Sequence, residues 1–227
     1  MAPEEVRSRV SVVHGDATDV EGLKAAIREH NCDAMVDTAG NQVWPWKEHQ
    51  LQKIARAASR AAVEIGRERG TPMRALFLCG IGELDYPVLG NKSRGERPAA
   101  TIASYLPKLA TQQHLETRSV VTAIPLSELR WTLVCIAIMR PLREGIELLS
   151  QPDHHSLLTS ADTPPAWPHR WVGKIPWVGP TLEIVLNMAG YTTKLEHIAD
   201  FISEDLENDS QDWVGKLVGF REQEKSQ

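Results

Sequence analysis

Apolar residues recur along the chain in two patterns, short runs rich in β-branched residues and longer stretches at helical spacing. The run Val10-Ser11-Val12-Val13-His14, closed by Gly15-Asp16, predicts a first strand. Thr18-Asp19-Val20-Glu21 then offers a capping box, and Val20, Leu23 and Ile27 carry a helix to about Glu29. The run Asp33-Ala34-Met35-Val36-Asp37 predicts a second strand, which empties into the small residues Thr38-Ala39-Gly40-Asn41. The other elements are placed relative to this one, because ligands of open α/β sheets bind beyond the carboxyl ends of the strands. The spacing next predicts a long helix over 49–69, with Leu51, Ile54, Ala55, Ala58, Ala62 and Ile65 on one face. A face made mostly of alanine lets a helix lie close on a sheet. Arg74 to Gly80 reads as a third strand, and Trp131 to Ala137 as a fourth, apolar nearly throughout as a strand covered on both sides should be.

Between these elements the pattern loosens. Ile81 to Ala100 contains Gly82, Pro87, Gly90, Gly95 and Pro98 and predicts a long loop on the carboxyl side of the sheet. A helix over 101–118 follows, interrupted by Pro107. Proline and tryptophan crowd the stretch 151–180, where Trp167, Trp171 and Trp177 stand among Pro164, Pro165, Pro168, Pro176 and Pro180. The whole of 142–193 is therefore expected as a loop or lid, packed on the body or walling an apolar pocket. A closing helix is expected over 195–206 and a frayed polar tail over 221–227. The fold class expected is α/β, a single Rossmann-like domain over 1–227 with a mostly parallel sheet and helices on both faces.

Composition narrows the partners. A formal charge of −5 over 227 residues argues against nucleic acid, which needs clustered Lys and Arg. Arg56, Arg60, Arg67 and Arg69 sit among acids on what reads as a solvated helix face. No apolar run approaches the ~20 residues that span a bilayer, and the start Met1-Ala2-Pro3-Glu4-Glu5 is acidic where a leader would be basic. A cytoplasmic protein with no membrane partner is the expectation. Cys32, Cys79 and Cys135 lie in or beside apolar runs without metal-like spacing, so they are expected reduced and mostly buried. His154-His155 lacks a third ligand at metal spacing, and no metal is expected.

Taken together, Val12-Val13-His14-Gly15-Asp16-Ala17-Thr18-Asp19, Val36-Asp37-Thr38-Ala39-Gly40, Leu78-Cys79-Gly80, Trp131-Thr132-Leu133-Val134 and His197-Ile198-Ala199-Asp200-Phe201-Ile202 resemble, in order and spacing, the atypical short-chain dehydrogenase/reductase superfamily. The NmrA-like, NAD(P)H-binding branch is the nearest. The resemblance implies NAD or NADP as cofactor, with Asp16 reading the adenine, Thr38, Ala39 and Gly40 beside the adenosine ribose, and Cys79 and Gly80 closing the cofactor side. The chain departs from the family in lacking a Gly-x-x-Gly-x-x-Gly turn before Gly15, which leaves the pyrophosphate without its amide cradle and predicts weak or lost dinucleotide binding. In the family's strand order the Gly-Asp strand and the Thr-Ala-Gly strand flank two strands that have no counterpart here. Val10–His14 is accordingly expected to slide in and pair with 34–38, the alternative being completion of that edge by a second copy in a homodimer.

The family's proton relay also departs. Its Ser position is Cys79 or Gly80 here, and Tyr105 with Lys108 stand three apart around Pro107; Tyr86 and Lys92 are six apart. The candidates for acid–base chemistry are Asp85 and Tyr86 after the third strand, His114 with Glu116 on the next helix, and Arg140 after the fourth strand. Three functional readings stand open. One is an enzyme acting on a small hydrophobic substrate, such as a secondary metabolite, as oxidoreductase or redox-neutral isomerase or cyclase. The others are a non-catalytic dinucleotide sensor and an inactive shortened relative.

Overall fold

The computed structural model describes residues 8–39, 50–85, 102, 112–141, 156–168, 171–188 and 190–223. Helix α1 (Val20–Glu29) precedes strand β1 (Ala34–Asp37), and helix α2 (Leu51–Arg69) precedes β2 (Met73–Gly80). Helix α3 (Gln112–Thr122) leads to β3 (Leu129–Ile136) and the short β4 (Ile138–Arg140). Strand β5 (Leu157–Ala161), helix α4 (Gly179–Met188), strand β6 (Thr192–Lys194), helix α5 (Leu195–Glu207) and strand β7 (Leu217–Glu222) complete the order. The main sheet runs β1-β2-β3-β7-β5, parallel except for β5 at its edge, and β4 pairs with β6 in a small parallel ribbon. This is the Rossmann-like α/β fold that the pattern predicts. No helix among the described residues is long and apolar enough to cross a membrane.

Strict alternation along β2 and β3 builds two cores. Ala75, Phe77 and Cys79 of β2 face the same side as Leu129, Leu133 and Cys135 of β3, under the alanine face of α2 (Ala55, Ala58, Ala61, Ala62). Leu76, Val134 and Val218 face the other way, against Ile198 and Phe201 of α5. Gly70, at φ +71°, ends α2 in the left-handed conformation that a side chain would strain.

Three expectations are corrected. Val10–His14 forms no strand and does not pair with β1: Val10, Val12 and Val13 are 54%, 63% and 53% exposed, and the ladder of β1 is made with β2. Its β-branched composition supplies propensity but no partner. Helix α1 is instead tied to α2, with Lys24 2.5 Å from Glu64 and Arg28 2.7 Å from Glu68, so the crossover does not carry the preceding segment alongside β1. Second, the 142–193 stretch expected as loop or lid contains β5, which is hydrogen-bonded into the main sheet, and the regular helix α4. Of its tryptophans Trp167 is buried and donates to Glu183 at 2.6 Å, whereas Trp177 is fully exposed. Third, Arg221 and Glu222 belong to β7, a strand in the interior of the sheet, and not to a frayed tail.

On the α5 face a buried ion pair joins elements far apart in sequence. Arg74 of β2 reaches Asp205 of α5 at 2.5 Å, both side chains at most 3% exposed, and it also donates to the Arg130 carbonyl and the Thr132 hydroxyl at 2.8 Å. Removing one partner of such a pair strands the other charge in the core. Asp205→Ala should therefore lower folding stability by roughly 3–5 kcal/mol in urea denaturation. Asp209→Ala, which breaks the exposed pair with Arg130, should change it little.

Candidate active site

The parallel register of β2 and β3 assembles a cluster at their carboxyl ends. Cys79 and Cys135 are register partners on the same face, so their thiols stand side by side. Cys79 is 5% exposed and Cys135 fully buried, and the Cys79 Sγ lies 3.7 Å from the His114 carbonyl oxygen of α3. Gly80 admits the His114 ring: a Cβ there would stand 3.0 Å from its Cδ2. The chain then makes a single 3₁₀ turn, Ile81–Glu83, that turns Glu83 into the core. Glu83 is 0% exposed, and among the described residues its two carboxylate oxygens and Nδ1 of His114 have no hydrogen-bond partner. Arg118 of α3 spans the same end, donating to the Glu83 carbonyl and, at 3.2 Å, to the half-buried Asp85 carboxylate.

These surroundings drive the thiol and the carboxyl in opposite directions. The hydrogen bond from Cys135, aided by His114 and opposed by burial, brings the Cys79 thiol down to about 6. Burial, reinforced by the charge of Cys79 and opposed by Arg118, lifts Glu83 to about 8. Burial also raises Cys135 and Asp85, the latter against its pairing with Arg118. Around neutral pH the cluster thus holds a thiolate beside a protonated carboxyl, the separation of roles that acid–base pairs depend on.

Cys79, Gly80, Asp85 and His114, all picked from the sequence, come together here. Arg140 does not join them: it is exposed on β4, in register with Lys194. Tyr86, Gly40, Lys92, Tyr105, Lys108 and His154-His155 lie outside the described residues. Glu83, Cys135 and Arg118 escaped the sequence reading. Glu83, three residues past Gly80, had a positional signal, but the partnership of Cys79 with Cys135 depends on a register that no local pattern encodes.

Among the described residues, Asp16, Thr38 and Ala39, expected at the dinucleotide, lie at the surface. Asp16 is exposed, and its carboxylate is taken by the Thr18 N–H and hydroxyl at 2.8 Å each, which holds it below the usual carboxylate range. The N-terminus of α1 is capped by Asp19, and open space surrounds Gly15. Thr38 and Ala39 are exposed, and the Ala39 N–H is spent on Asp37 at 3.0 Å. None of these groups offers the converging amides that a pyrophosphate needs.

No family model matches the sequence, and no curated protein matches it. The fold is shared with solved structures. An exported-protein candidate from Burkholderia pseudomallei superposes with a TM-score of 0.56 at 15% identity over 94% of this chain and 82% of its own. A candidate epimerase from Bacteroides thetaiotaomicron gives 0.56 at 13% identity over 97% and 83%. A candidate NADH-flavin reductase from Streptococcus pneumoniae gives 0.53 at 13% identity over 94% and 81%. The likeness is one of fold, the Rossmann-like α/β arrangement described above.

The Glu83 carboxyl has a consequence for stability. Folded protein keeps its proton to about pH 8, whereas the unfolded chain releases it near the ordinary 4.5. The unfolded state therefore binds fewer protons between these values, and this residue's contribution to stability falls as pH rises through that window. Glu83→Gln should flatten that fall, read as urea midpoints from about pH 5 to about pH 8.

Proposed function

We propose that the chain is an enzyme that moves a proton on a small hydrophobic organic substrate, in a redox-neutral isomerisation or epimerisation, at the carboxyl ends of β2 and β3. The observation that carries this reading is the opposed protonation of two neighbouring buried groups, Cys79 brought down to about 6 and Glu83 lifted to about 8. In this reading the Cys79 thiolate takes a proton from carbon and the Glu83 carboxyl donates one to the developing oxyanion or to the opposite face. His114, half-buried between the thiol and the surface, exchanges the proton with solvent. Ile81, Leu84 and Ile102, each at most 2% exposed, give the neighbourhood an apolar lining.

Hydrogen–deuterium exchange tests the reading without knowledge of the product. In D₂O the protein should catalyse exchange at carbon next to the carbonyl in at least one of a panel of apolar carbonyl compounds, followed by NMR. The rate should rise above about pH 6 as the thiolate forms and fall above about pH 8 as the carboxyl is lost. Cys79→Ser and Glu83→Gln should each slow it by about a hundredfold or more. Exchange with no compound of the panel, or at full rate in both variants, would count against the proposal.

Hydride transfer with NAD(P)H is the second reading, favoured by the fold shared with the candidate NADH-flavin reductase. The exposed, self-satisfied Asp16 and the absence of a cradle among the described residues favour weak binding. Calorimetric titration with NADPH should give a Kd weaker than the low micromolar range. A tighter value would move the assignment to reductase chemistry.

A further inference from the structure

The geometry points to a second chemistry at the same place: we propose that Cys79 and Cys135 are a dithiol–disulfide centre whose oxidant is a hydroperoxide. The inference does not rest on the proton-transfer reading. It rests first on register, because Cys79 and Cys135 are partners on adjacent strands and point to the same face, with no side chain between them. Neighbouring strands stand ~4.8 Å apart, inside the ~4.4–6.8 Å between Cα atoms that a disulfide bridges. The third cysteine, Cys32, is half-buried just before β1, at the opposite end of a parallel sheet, and cannot substitute for either.

The two thiols are unequal in the way such chemistry needs. Cys79 lies at the strand end beside His114 and Gly80, and its thiol is the one held low; Cys135 is fully buried behind it. The Cys79 thiolate attacks the terminal oxygen of the hydroperoxide. A sulfur–oxygen bond forms, the oxygen–oxygen bond breaks, and the leaving alkoxide takes a proton from solvent, giving an alcohol and a sulfenic acid. The Cys135 sulfur then attacks the Cys79 sulfur. The sulfur–sulfur bond forms, the sulfur–oxygen bond breaks, and hydroxide leaves with the Cys135 proton as water. In sum, two thiols and one hydroperoxide give one disulfide, one alcohol and one water, the two thiol sulfurs supplying both electrons. A small dithiol returns the pair to its reduced form by exchange.

Peptide mapping of the whole folded protein tests this. After brief exposure to hydrogen peroxide, alkylation and digestion without reductant, most of Cys79 should appear in one peptide linked to Cys135 and lighter by two hydrogens. Cys32 should remain alkylated, and dithiothreitol should restore all three thiols. Cys32→Ser should leave the linked peptide unchanged, whereas Cys135→Ser should stop at a Cys79 sulfenic acid that dimedone traps. Cys79 driven to sulfinic acid without the linked peptide, a Cys79–Cys32 link, or three intact thiols would each overturn the proposal. The wild-type map decides even if a variant fails to fold, and it requires no substrate turnover, so it succeeds or fails separately from the exchange experiment.

Discussion

The eight-residue parallel register between β2 and β3 is the constraint on which the rest of the molecule depends. It runs from Met73 against Leu129 to Gly80 against Ile136, and because side chains alternate faces it fixes two sets of neighbours at once. A slip of one residue would move Cys79 and Cys135 out of partnership, and would also carry Arg74 to the wrong side of the sheet. The same geometry thus sets the thiol pair on one face and the buried ion pair on the other.

The two faces use buried charge differently. Arg74 and Asp205 neutralise each other with good geometry and extra hydrogen bonds, which is how a core tolerates ions. Glu83 instead leaves both carboxylate oxygens, and His114 its Nδ1, unpartnered among the described residues, whereas Arg74 and Asp205 each leave one atom so, Nε and Oδ1. Folding alone does not favour that arrangement, since burying an unsatisfied polar group costs free energy. Local frustration of this kind concentrates where chemistry is done.

Local signals identified most of the elements. The alanine face of α2 and the apolar runs of β2 and β3 each carry their own period, and the helices α1, α2 and α5 fall within two residues of expectation, although Asp19 and not Thr18 caps α1. Val10–His14 shows where local reading stops: a β-branched run is a strand only if a neighbour offers hydrogen bonds. Strand β7 was missed for the complementary reason, since Arg221 and Glu222 give its end the look of a tail while Leu217 to Phe220 are buried between β3 and β5. The site divides the same way. Cys79, Gly80, Asp85 and His114 stood out through type and position, but Cys135 meets Cys79 only through a strand register across 56 residues of chain, and Arg140 lies exposed on the short ribbon with β6, apart from them.

The place of β7 governs how the molecule can be made. Strand β7, which follows β5 and α5 in sequence, lies in the interior of the sheet between β3 and β5, and Asp205 lies a dozen residues before it. During synthesis β3 keeps an open edge until residues 217–222 have followed, and Arg74 lacks its counter-ion until Asp205 has. The nascent chain must keep β1, β2 and β3 from pairing with other strands during that interval, the stage at which unpaired edges invite aggregation. Docking of β7 against β3 then gives β5 its only strand partner, the kind of non-local closure that makes folding slow.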